Sequence, residues 1–461
     1  MMNGRDARSP SATGGTPVVP VVVATSTAMV AVMAVKKRIV VLRSGYRRDI
    51  LYALGGVMVL RKTYLQRIRP FFGTDVIKVI TGIRRSGKSV FLTQVLDEIL
   101  KMSPDAHTVY LNLEDKQNAR FLKGDELYQF LLAEIKAAGK RRVCFFLDEI
   151  HDAEGWETTV NSVRMKPNVD VYVTGSNSKM LSGELASQIT GRYVEIAMSP
   201  FSFAEYREAA ADTFGNRDVE RLFLKYLETG GMPFLPQIRF DEAASLQYLD
   251  DLFWAILSKD IVRRKEIRDV DLLERIVRYA MTEIGHVFSA LSIVRFLKHE
   301  RRTTTAETVL NYLKACEEAF LISRVERQDL IGKRILSVDE KYYVADLGLR
   351  RAVVGNLNGE DIDQMIENVV YRELVRRGYN VTIGRVRSKE VDFVCERTGD
   401  RLYVQVSYLM STKETRDREF GALEAIPDQF EKVVLSMDKV DFSRNGIRHM
   451  YIPDFMLEQN G

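Results

Sequence analysis

The chain has 461 residues, of which 46% are hydrophobic and 28% are charged, a composition that indicates a globular protein of about three domains. Its net charge is only +4, so any nucleic-acid-binding surface would have to be local. The three cysteines, Cys144, Cys316 and Cys395, are widely spaced and odd in number. This pattern excludes a disulfide framework and a cysteine zinc site, and it favours a reducing cytoplasm.

Residues 1–57 differ from the rest of the chain, because basic ends flank an uncharged run over 16–35. A run of this length is sufficient for a membrane anchor or a signal peptide. Pro17, Pro20 and the absence of leucine from the run argue against both. We therefore expect a poorly ordered leader, with a membrane anchor as the less favoured alternative.

From residue 58 the chain alternates predicted helices with short apolar strands. A helix over 58–69 and a strand over 76–81 lead into Gly82-Ile-Arg-Arg-Ser-Gly-Lys-Ser89, which fits the phosphate-binding pattern G-x-x-x-x-G-K-[ST]. A further helix begins near Lys88. Strand, loop and helix in this order predict a nucleotide site.

Each residue type in the loop has a physical task. Gly82 and Gly87 permit a tight turn that points backbone N–H groups at a phosphate. Lys88 can place its ammonium on the β- and γ-phosphates, while the Ser89 hydroxyl can ligate Mg²⁺. The residues expected to bind ATP are Gly82, Ile83, Arg84, Arg85, Ser86, Gly87, Lys88, Ser89 and Val90.

A second strand, over 142–147, is continuously apolar and ends in Asp148 and Glu149. A strand of this kind is typical of a parallel sheet with both faces covered, and its carboxyl end would lie beside the phosphate loop. Asp148 is therefore expected to hold Mg²⁺, directly or through water. Glu149 is the candidate base that polarises the attacking water.

A third strand, over 169–174, ends in Gly-Ser-Asn. Ser176 or Asn177 could hydrogen-bond the γ-phosphate or its water, although these residue types also form a plain turn. Further along, Arg192 is a candidate arginine finger, acting in cis or on a neighbour's nucleotide. Its alternative role is a salt bridge in a loop.

Together, these motifs resemble those of a family of prokaryotic AAA-type ATPases with a C-terminal domain of unknown function. The resemblance rests on the 82–89 loop, 146–150, the Gly-Ser-Asn strand end, 190–192 and 199–206. It extends from about residue 58 to near the C-terminus. It implies an ATP-binding domain over about 58–205, followed by a helical small domain over 206–285.

Residues 286–360 show the order helix, turn, helix and hairpin, which suggests a winged helix. The second helix carries Glu307, Glu317 and Glu318 beside a lysine. A mixed-charge face contacts phosphates poorly, so protein contact is favoured slightly over DNA contact. The preceding segment 259–268 is predicted to be an ordinary helix or linker surface.

Residues 361–461 resemble a PD-(D/E)xK nuclease core. By position, Glu367 and Asp392 match its acidic residues, but Gln405 and Ser407 stand where a carboxylate and a lysine are required. We expect this fold to be retained and the nuclease to be inactive.

The predicted fold class is therefore α/β: a P-loop AAA-like ATPase core, a helical and winged-helix middle region, and a C-terminal restriction-endonuclease-like domain. The predicted function is a cytoplasmic, Mg²⁺-dependent ATPase whose ATP cycle controls a C-terminal DNA- or protein-binding region. Two alternatives are a nucleotide-gated binding module with little turnover and an ATP-dependent nuclease. Homo-oligomerisation remains open.

Overall fold

The computed structural model describes residues 40–42, 59–177, 191–332, 334–355 and 361–458, with only the backbone of 40–42 and 334–339. The uncharged run at 16–35 lies outside these residues. None of the helices within the described ranges is both long enough and apolar enough to cross a membrane.

A six-stranded sheet forms the first layer of the molecule, in the order β1-β3-β4-β5-β2-β6. Its strands are β1 Val40–Leu42, β2 Ile77–Gly82, β3 His107–Asn112, β4 Val143–Asp148, β5 Val169–Gly175 and β6 Tyr193–Met198. The helices of this region are α1 Lys62–Ile68, α2 Lys88–Met102, α3 Gly124–Ala138 and α4 Trp156–Arg164. Strands β2 to β6 are parallel, and every residue of β2, β4 and β5 is buried, as the continuous apolar sequence of β4 predicted for that strand.

The edge strand β1 is a difference from the expected leader. Val40–Leu42 lies within residues 1–57, yet it pairs antiparallel with Thr108–Tyr110 of β3. These three consecutive residues are β-branched or apolar, which favours a strand. Their backbone pairs with the edge of β3 that would otherwise be open. At these three positions the expectation of a leader outside the fold is corrected.

A group of helices follows the first sheet. They are α5 Phe203–Phe214, α6 Val219–Thr229, α7 Glu242–Ala255, α8 Val270–Thr282, α9 Ala290–His299, α10 Ala306–Glu318 and α11 Leu347–Val354. After α7 the chain continues without a break through a π-helical turn, Ile256–Val262, and one α-helical turn, Arg263–Lys265. π-Helical turns are rare and often lie at functional sites.

A second sheet contains eight strands in the order β14-β13-β12-β11-β10-β8-β9-β7. They are β7 Val287–Phe288, β8 Ile322–Asp329, β9 Arg334–Val344, β10 Asn380–Val386, β11 Lys389–Arg397, β12 Asp400–Val406, β13 Glu431–Ser436 and β14 Arg448–Tyr451. The last helices are α12 Ile362–Arg376, α13 Lys413–Glu424 and α14 Ile452–Leu457.

Strand β8 pairs parallel with β10, with Arg327 opposite Ile383. The segments predicted as separate domains, 286–360 and 361–461, therefore contribute to one continuous sheet. One hydrophobic cluster also includes Val59 and Ile83 beside the first sheet and extends through the helical region to Met456 near the C-terminus. The helical region and much of the second sheet are thus packed together.

Candidate functional site

The carboxyl ends of β2, β4 and β5 lie side by side, and the predicted phosphate loop follows β2. Gly82 has a φ of 139°, and a Cβ there would lie 2.2 Å from the carbonyl oxygen of Met198 on β6. Gly87, with a φ of 96°, immediately precedes α2. Both glycines are therefore required by the backbone path, and the loop delivers the amino end of a 15-residue helix to the site.

Lys88 is buried at the first position of α2. Its Nζ donates to the carbonyl oxygens of Gly82 at 3.0 Å and Ile83 at 3.2 Å. The same Nζ lies 3.7 Å from Oε1 of Glu149. The loop lysine and the candidate base are thus brought together, with the half-buried Ser89 next to them on the same helical turn.

Asp148 ends β4, is fully buried, and uses both carboxylate oxygens. Oδ1 accepts from Thr174 Oγ1 at 2.5 Å, and Oδ2 accepts from Tyr110 Oη at 2.9 Å. Burial and then the charge of Asp148 raise the pKa of Tyr110 well above its usual value, so its hydroxyl stays a neutral donor. These two bonds fix the Asp148 carboxylate at the strand end.

Glu149 adopts a left-handed backbone conformation, with a φ of 52°. Its N–H donates to Thr174 Oγ1 at 2.8 Å, which holds the peptide in this rare conformation. Burial raises the pKa of Glu149 above its usual value, and the nearby Lys88 ammonium opposes that shift. Strained backbone and perturbed carboxylates cluster at functional sites, so Glu149 stays the candidate base.

The third strand end also reaches this site. Ser176 is buried, and its Oγ lies 3.5 Å from Oδ1 of Asp260. Asn177, the candidate sensor, is the next residue after it at the carboxyl edge of the sheet. The structure therefore brings the three predicted strand ends to one place.

Arg192 is not part of that group. It immediately precedes β6, and its carbonyl accepts from the N–H of Ile77 at the start of β2. It therefore lies at the amino edge of the parallel sheet, while the phosphate loop lies at the carboxyl edge. The interpretation of Arg192 as an arginine finger in cis is corrected on this ground.

Two functional candidates were missed, Asp260 and Arg264, and both lie in the segment predicted to be ordinary helix or linker. Asp260 receives two hydrogen bonds from Arg84 of the phosphate loop, at 2.8 Å and 3.0 Å. Arg264 donates to Nε2 of His151, whose Nδ1 lies 3.3 Å from Oε2 of Glu149. Burial, together with the charge of Arg264, lowers the pKa of His151 to about 3, so this histidine is neutral.

One sequence signal could have identified Asp260. It lies in Ile256-Leu-Ser-Lys-Asp-Ile-Val262, where apolar residues stand at both ends, and its side chain is 2% exposed. A carboxylate is rarely buried in this way unless it has a charged partner. The partner itself, Arg84, could not be identified from the local pattern.

A second polar cluster lies in the C-terminal region around Lys341 of β9. Its buried Nζ lies 2.9 Å from Glu367 Oε1 and 2.8 Å from Glu390 Oε1. Burial by itself lowers the pKa of Lys341. The charges of Glu367, Asp392 and Glu390 outweigh burial, so the pKa is raised overall. The lysine of this cluster thus comes from β9, a strand outside the predicted nuclease-like segment.

The other predicted residues of that region are placed around Asp392. Its Oδ2 accepts from the N–H of Val406 at 2.8 Å, and its own N–H donates to Gln405 Oε1 at 3.3 Å. The Gln405 amide also donates to Glu419 at 2.9 Å. Among the described residues, no three histidines, cysteines or acids form a group that could hold a metal ion.

Comparison with known proteins identifies two regions of the chain. A family described as an AAA domain matches residues 74–207, and a domain of unknown function matches residues 220–360. The second match spans most of the predicted helical small domain and all of the predicted winged helix. An uncharacterized protein of Methanocaldococcus jannaschii is 26% identical over 394 residues, covering 82% of this chain and 85% of the relative.

Solved structures with partial similarity include the Walker-type ATPase of Pyrococcus abyssi, at 18% identity and a TM-score of 0.46. That match covers 68% of this chain and 98% of the other. The Aeropyrum pernix Orc1 protein in complex with DNA matches at 12% identity and a TM-score of 0.33, covering 66% of this chain and 94% of that protein.

An uncharacterized protein of Haemophilus influenzae is 35% identical over 405 residues, which covers 87% of this chain and 99% of that relative. The AAA domain matched at 74–207 contains the phosphate loop, Asp148 and Glu149. The chain therefore belongs to the same family as the Haemophilus influenzae protein, and it carries an AAA domain followed by a domain of unknown function.

Proposed function

We propose that the protein binds ATP at residues 82–90 and hydrolyses it with Mg²⁺. The observation that carries this proposal is the 3.7 Å approach of Lys88 Nζ to Glu149 Oε1, beside Asp148. Counter-charge, metal-ligating carboxylate and base are the parts that phosphoryl transfer to water requires. The AAA domain match supports the ATP-binding part.

In this proposal Ser89 and Asp148 hold Mg²⁺, and Asn177 contacts the γ-phosphate or the attacking water. Because both Asp148 oxygens already accept hydrogen bonds, this carboxylate would bind the ion through water. Glu149 accepts the proton of the attacking water. A role for Arg192 on a neighbour's nucleotide would require a homo-oligomer and remains part of the proposal.

The test compares two variants with the wild type. Lys88→Ala removes the phosphate counter-charge, so a fluorescent ATP analogue should no longer bind. Glu149→Gln retains the ligands for Mg²⁺ and should bind the analogue, while steady-state phosphate release falls by about 10²–10⁴-fold through loss of the base. Lys101→Ala, an exposed lysine at the other end of α2, is the matched control.

Wild-type turnover in Glu149→Gln would contradict the base assignment. ATP binding without turnover in the wild type would instead support the alternative, a nucleotide-gated binding module. Measuring phosphate release with and without DNA distinguishes a stimulated ATPase from a simple switch.

One ion pair and one chain of hydrogen bonds support transmission of the nucleotide state to the C-terminal half. Lys265, one residue after Arg264, forms an ion pair with Glu318 at the end of α10. Arg372 of α12 donates to Ser199 Oγ at 2.8 Å, and the carbonyl of Ser199 accepts from Arg61. Arg61 in turn donates to the carbonyl of Ser86 in the phosphate loop.

The middle region supports a winged-helix proposal, because α9 and α10 are followed by the β8–β9 hairpin, and β7 pairs with β9. We favour a protein partner for it. Leu291, Phe296 and Leu310 are 56%, 39% and 48% exposed on its two helices, beside the acidic residues noted above. Apolar exposure of this kind suits a protein contact better than a phosphate backbone. We place the whole protein in the cytoplasm.

A further inference from the structure

The amino ends of four adjacent strands form a cleft on the edge of the first sheet opposite the phosphate loop. In sheet order these strands are β4, β5, β2 and β6. The segments that enter them line a cleft of about 620 Å³. The lining residues are Gly73, Thr74, Asp75, Arg142, Arg164, Met165, Lys166, Pro167, Asn168, Val169 and Arg192.

The lining is strongly basic, although the chain as a whole is almost neutral. It contains four cations and a single acid, Asp75. The Asp75 side chain is 81% exposed and lies 3.4 Å from Arg164, so it offsets one charge at most. The cations are Arg142, Arg164, Lys166 and Arg192.

A buried acid nearby, Asp170, does not neutralise these cations. It accepts from Lys78 Nζ at 2.5 Å, from the N–H of Gly73 at 2.7 Å and from Tyr172 Oη at 2.9 Å. Both of its oxygens are therefore in use. Within the described ranges, the side chains of Arg142 and Arg192 form no hydrogen bond or ion pair with protein groups.

The fold places these guanidinium groups along one edge of the sheet. Gly73 has a φ of 71°, and a Cβ there would lie 1.6 Å from Nη2 of Arg142, so the absence of a side chain makes room for this guanidinium. Burial, and then the charge of Arg192, lower the pKa of Arg164. A bound anion would relieve this concentration of positive charge.

We propose that this cleft binds the phosphodiester backbone of a nucleic acid. Guanidinium groups bind phosphate oxygens in a bidentate geometry, which favours phosphates where arginines predominate. The four β-strands lie about 4.8 Å apart, so their amino ends span about 14 Å. Over that length of the helix axis, one chain of B-DNA carries about four phosphates. Four cations, with one charge partly offset by Asp75, thus line an edge about as long as four phosphates, and no base contacts are required.

The proposal differs from DNA binding through the C-terminal half, and it does not depend on ATP turnover. It is tested by fluorescence anisotropy of the full chain with labelled single-stranded and duplex 20-mers, between 50 and 200 mM salt. Four phosphate contacts predict that duplex affinity falls by about 10²-fold over this range. Arg142→Gln/Arg192→Gln should weaken duplex binding by about 10²-fold at 50 mM salt and halve the slope of log affinity against log salt.

Arg217→Gln/Arg295→Gln is the matched control, because it removes the same charge from exposed positions on other elements. Arg192→Glu/Lys166→Glu repeats the test with exposed side chains only, in case Arg142 is needed for folding. Both cleft variants should retain the wild-type melting temperature.

Three results would overturn the proposal. The first is oligonucleotide binding that the cleft variants leave unchanged. The second is a loss confined to the control pair, which would place the site in the middle region, where Arg295 lies. The third is cleft-dependent binding of a polyglutamate peptide with no oligonucleotide binding, which would identify an acidic protein as the ligand.

Discussion

Arg84 and Asp260 are separated by 176 positions in the chain, yet their side chains form two hydrogen bonds at the phosphate loop. The exposed fractions of their side chains are 17% and 2%. A buried pair of this geometry is strongly coupled, because removing one partner leaves the other charge desolvated and uncompensated. At the residue scale, this contact attaches the π-helical turn to the nucleotide site.

We predict that Asp260→Asn lowers the free energy of unfolding by about 1–3 kcal/mol, since Arg84 loses the carboxylate charge and one of its two acceptor oxygens. A double-mutant cycle with Arg84→Gln, followed by urea denaturation, should give a coupling of similar size. The helical pair Asp97 and Lys101, whose lysine is 53% exposed, is the control, with an expected coupling of about 0.3–0.5 kcal/mol. A coupling between Arg84 and Asp260 no larger than this would contradict the attachment of the π-helical turn to the phosphate loop.

Asp346 provides a pH-dependent prediction at the same scale. Burial raises its pKa to about 6 from the usual 3.8, against the opposing effect of N–H groups of Gly231 and Leu349. The folded state therefore binds this proton more tightly than the unfolded chain. The resulting stability is present below pH 3.8 and is lost as the pH rises to about 6, by an amount on the order of 3 kcal/mol.

The measurement compares the wild type with Asp346→Asn, which retains an acceptor for the start of α11 but does not titrate in this range. The difference in unfolding free energy between wild type and variant should fall as the pH rises from about 4 to about 6. A difference independent of pH would show that the carboxyl does not titrate abnormally.

At the scale of elements, the edge strand β1 and the π-helical turn were both unexpected. β1 is separated from β2 by three other strands in the sheet, so its loss should leave the phosphate loop in place. We predict that a chain starting at Met58 binds the ATP analogue as tightly as the full chain. Thermal unfolding should occur at a slightly lower temperature, because β3 loses its antiparallel neighbour.

A chain starting at residue 39 is the matched control, since it lacks the uncharged run but retains β1. Loss of ATP binding in the shorter chain alone would show that β1 supports the site. Vesicle partitioning of the full chain, abolished in both truncations, would restore the membrane-anchor alternative.

At the scale of the whole molecule, the C-terminal cluster determines whether the protein has a second activity. The ammonium of Lys341 bonds to Glu367 and Glu390, so these carboxylates are engaged by an internal cation. Burial and the charge of Glu367 raise the pKa of Asp392 well above its usual value, which weakens it further as a metal ligand. We predict no cleavage of duplex, single-stranded or branched DNA with Mg²⁺ or Mn²⁺.

The assay runs the wild type beside Asp392→Ala, which removes the central carboxylate. Cleavage by the wild type that disappears in this variant would show that Lys341 serves as the missing lysine of an active nuclease. If cleavage is absent, Gln405→Glu with Ser407→Lys asks whether the fold can still form the site. In the present structure the Gln405 amide donates to Glu419, so Gln405→Glu would place two carboxylates together.

The sequence alone was sufficient to single out candidate site residues where a strand leads directly into a polar segment. The phosphate loop, Asp148 and Glu149 lie at strand ends, where local patterns specify both the strand and its polar terminus. The continuous apolar strand β4 also predicted a buried parallel sheet, because a strand covered on both faces needs apolar residues on both.

Tertiary structure alone decided which distant residues complete each site. Asp260, Arg264 and Lys341 reach their partners only after folding, because their contacts cross many positions and have no sequence period. The sequence offered Arg192 as an arginine finger or a loop salt bridge, and only the direction of β6 placed it at the edge opposite the phosphate loop. Local patterns reflect burial and backbone geometry, whereas side-chain partnership depends on how separate elements pack.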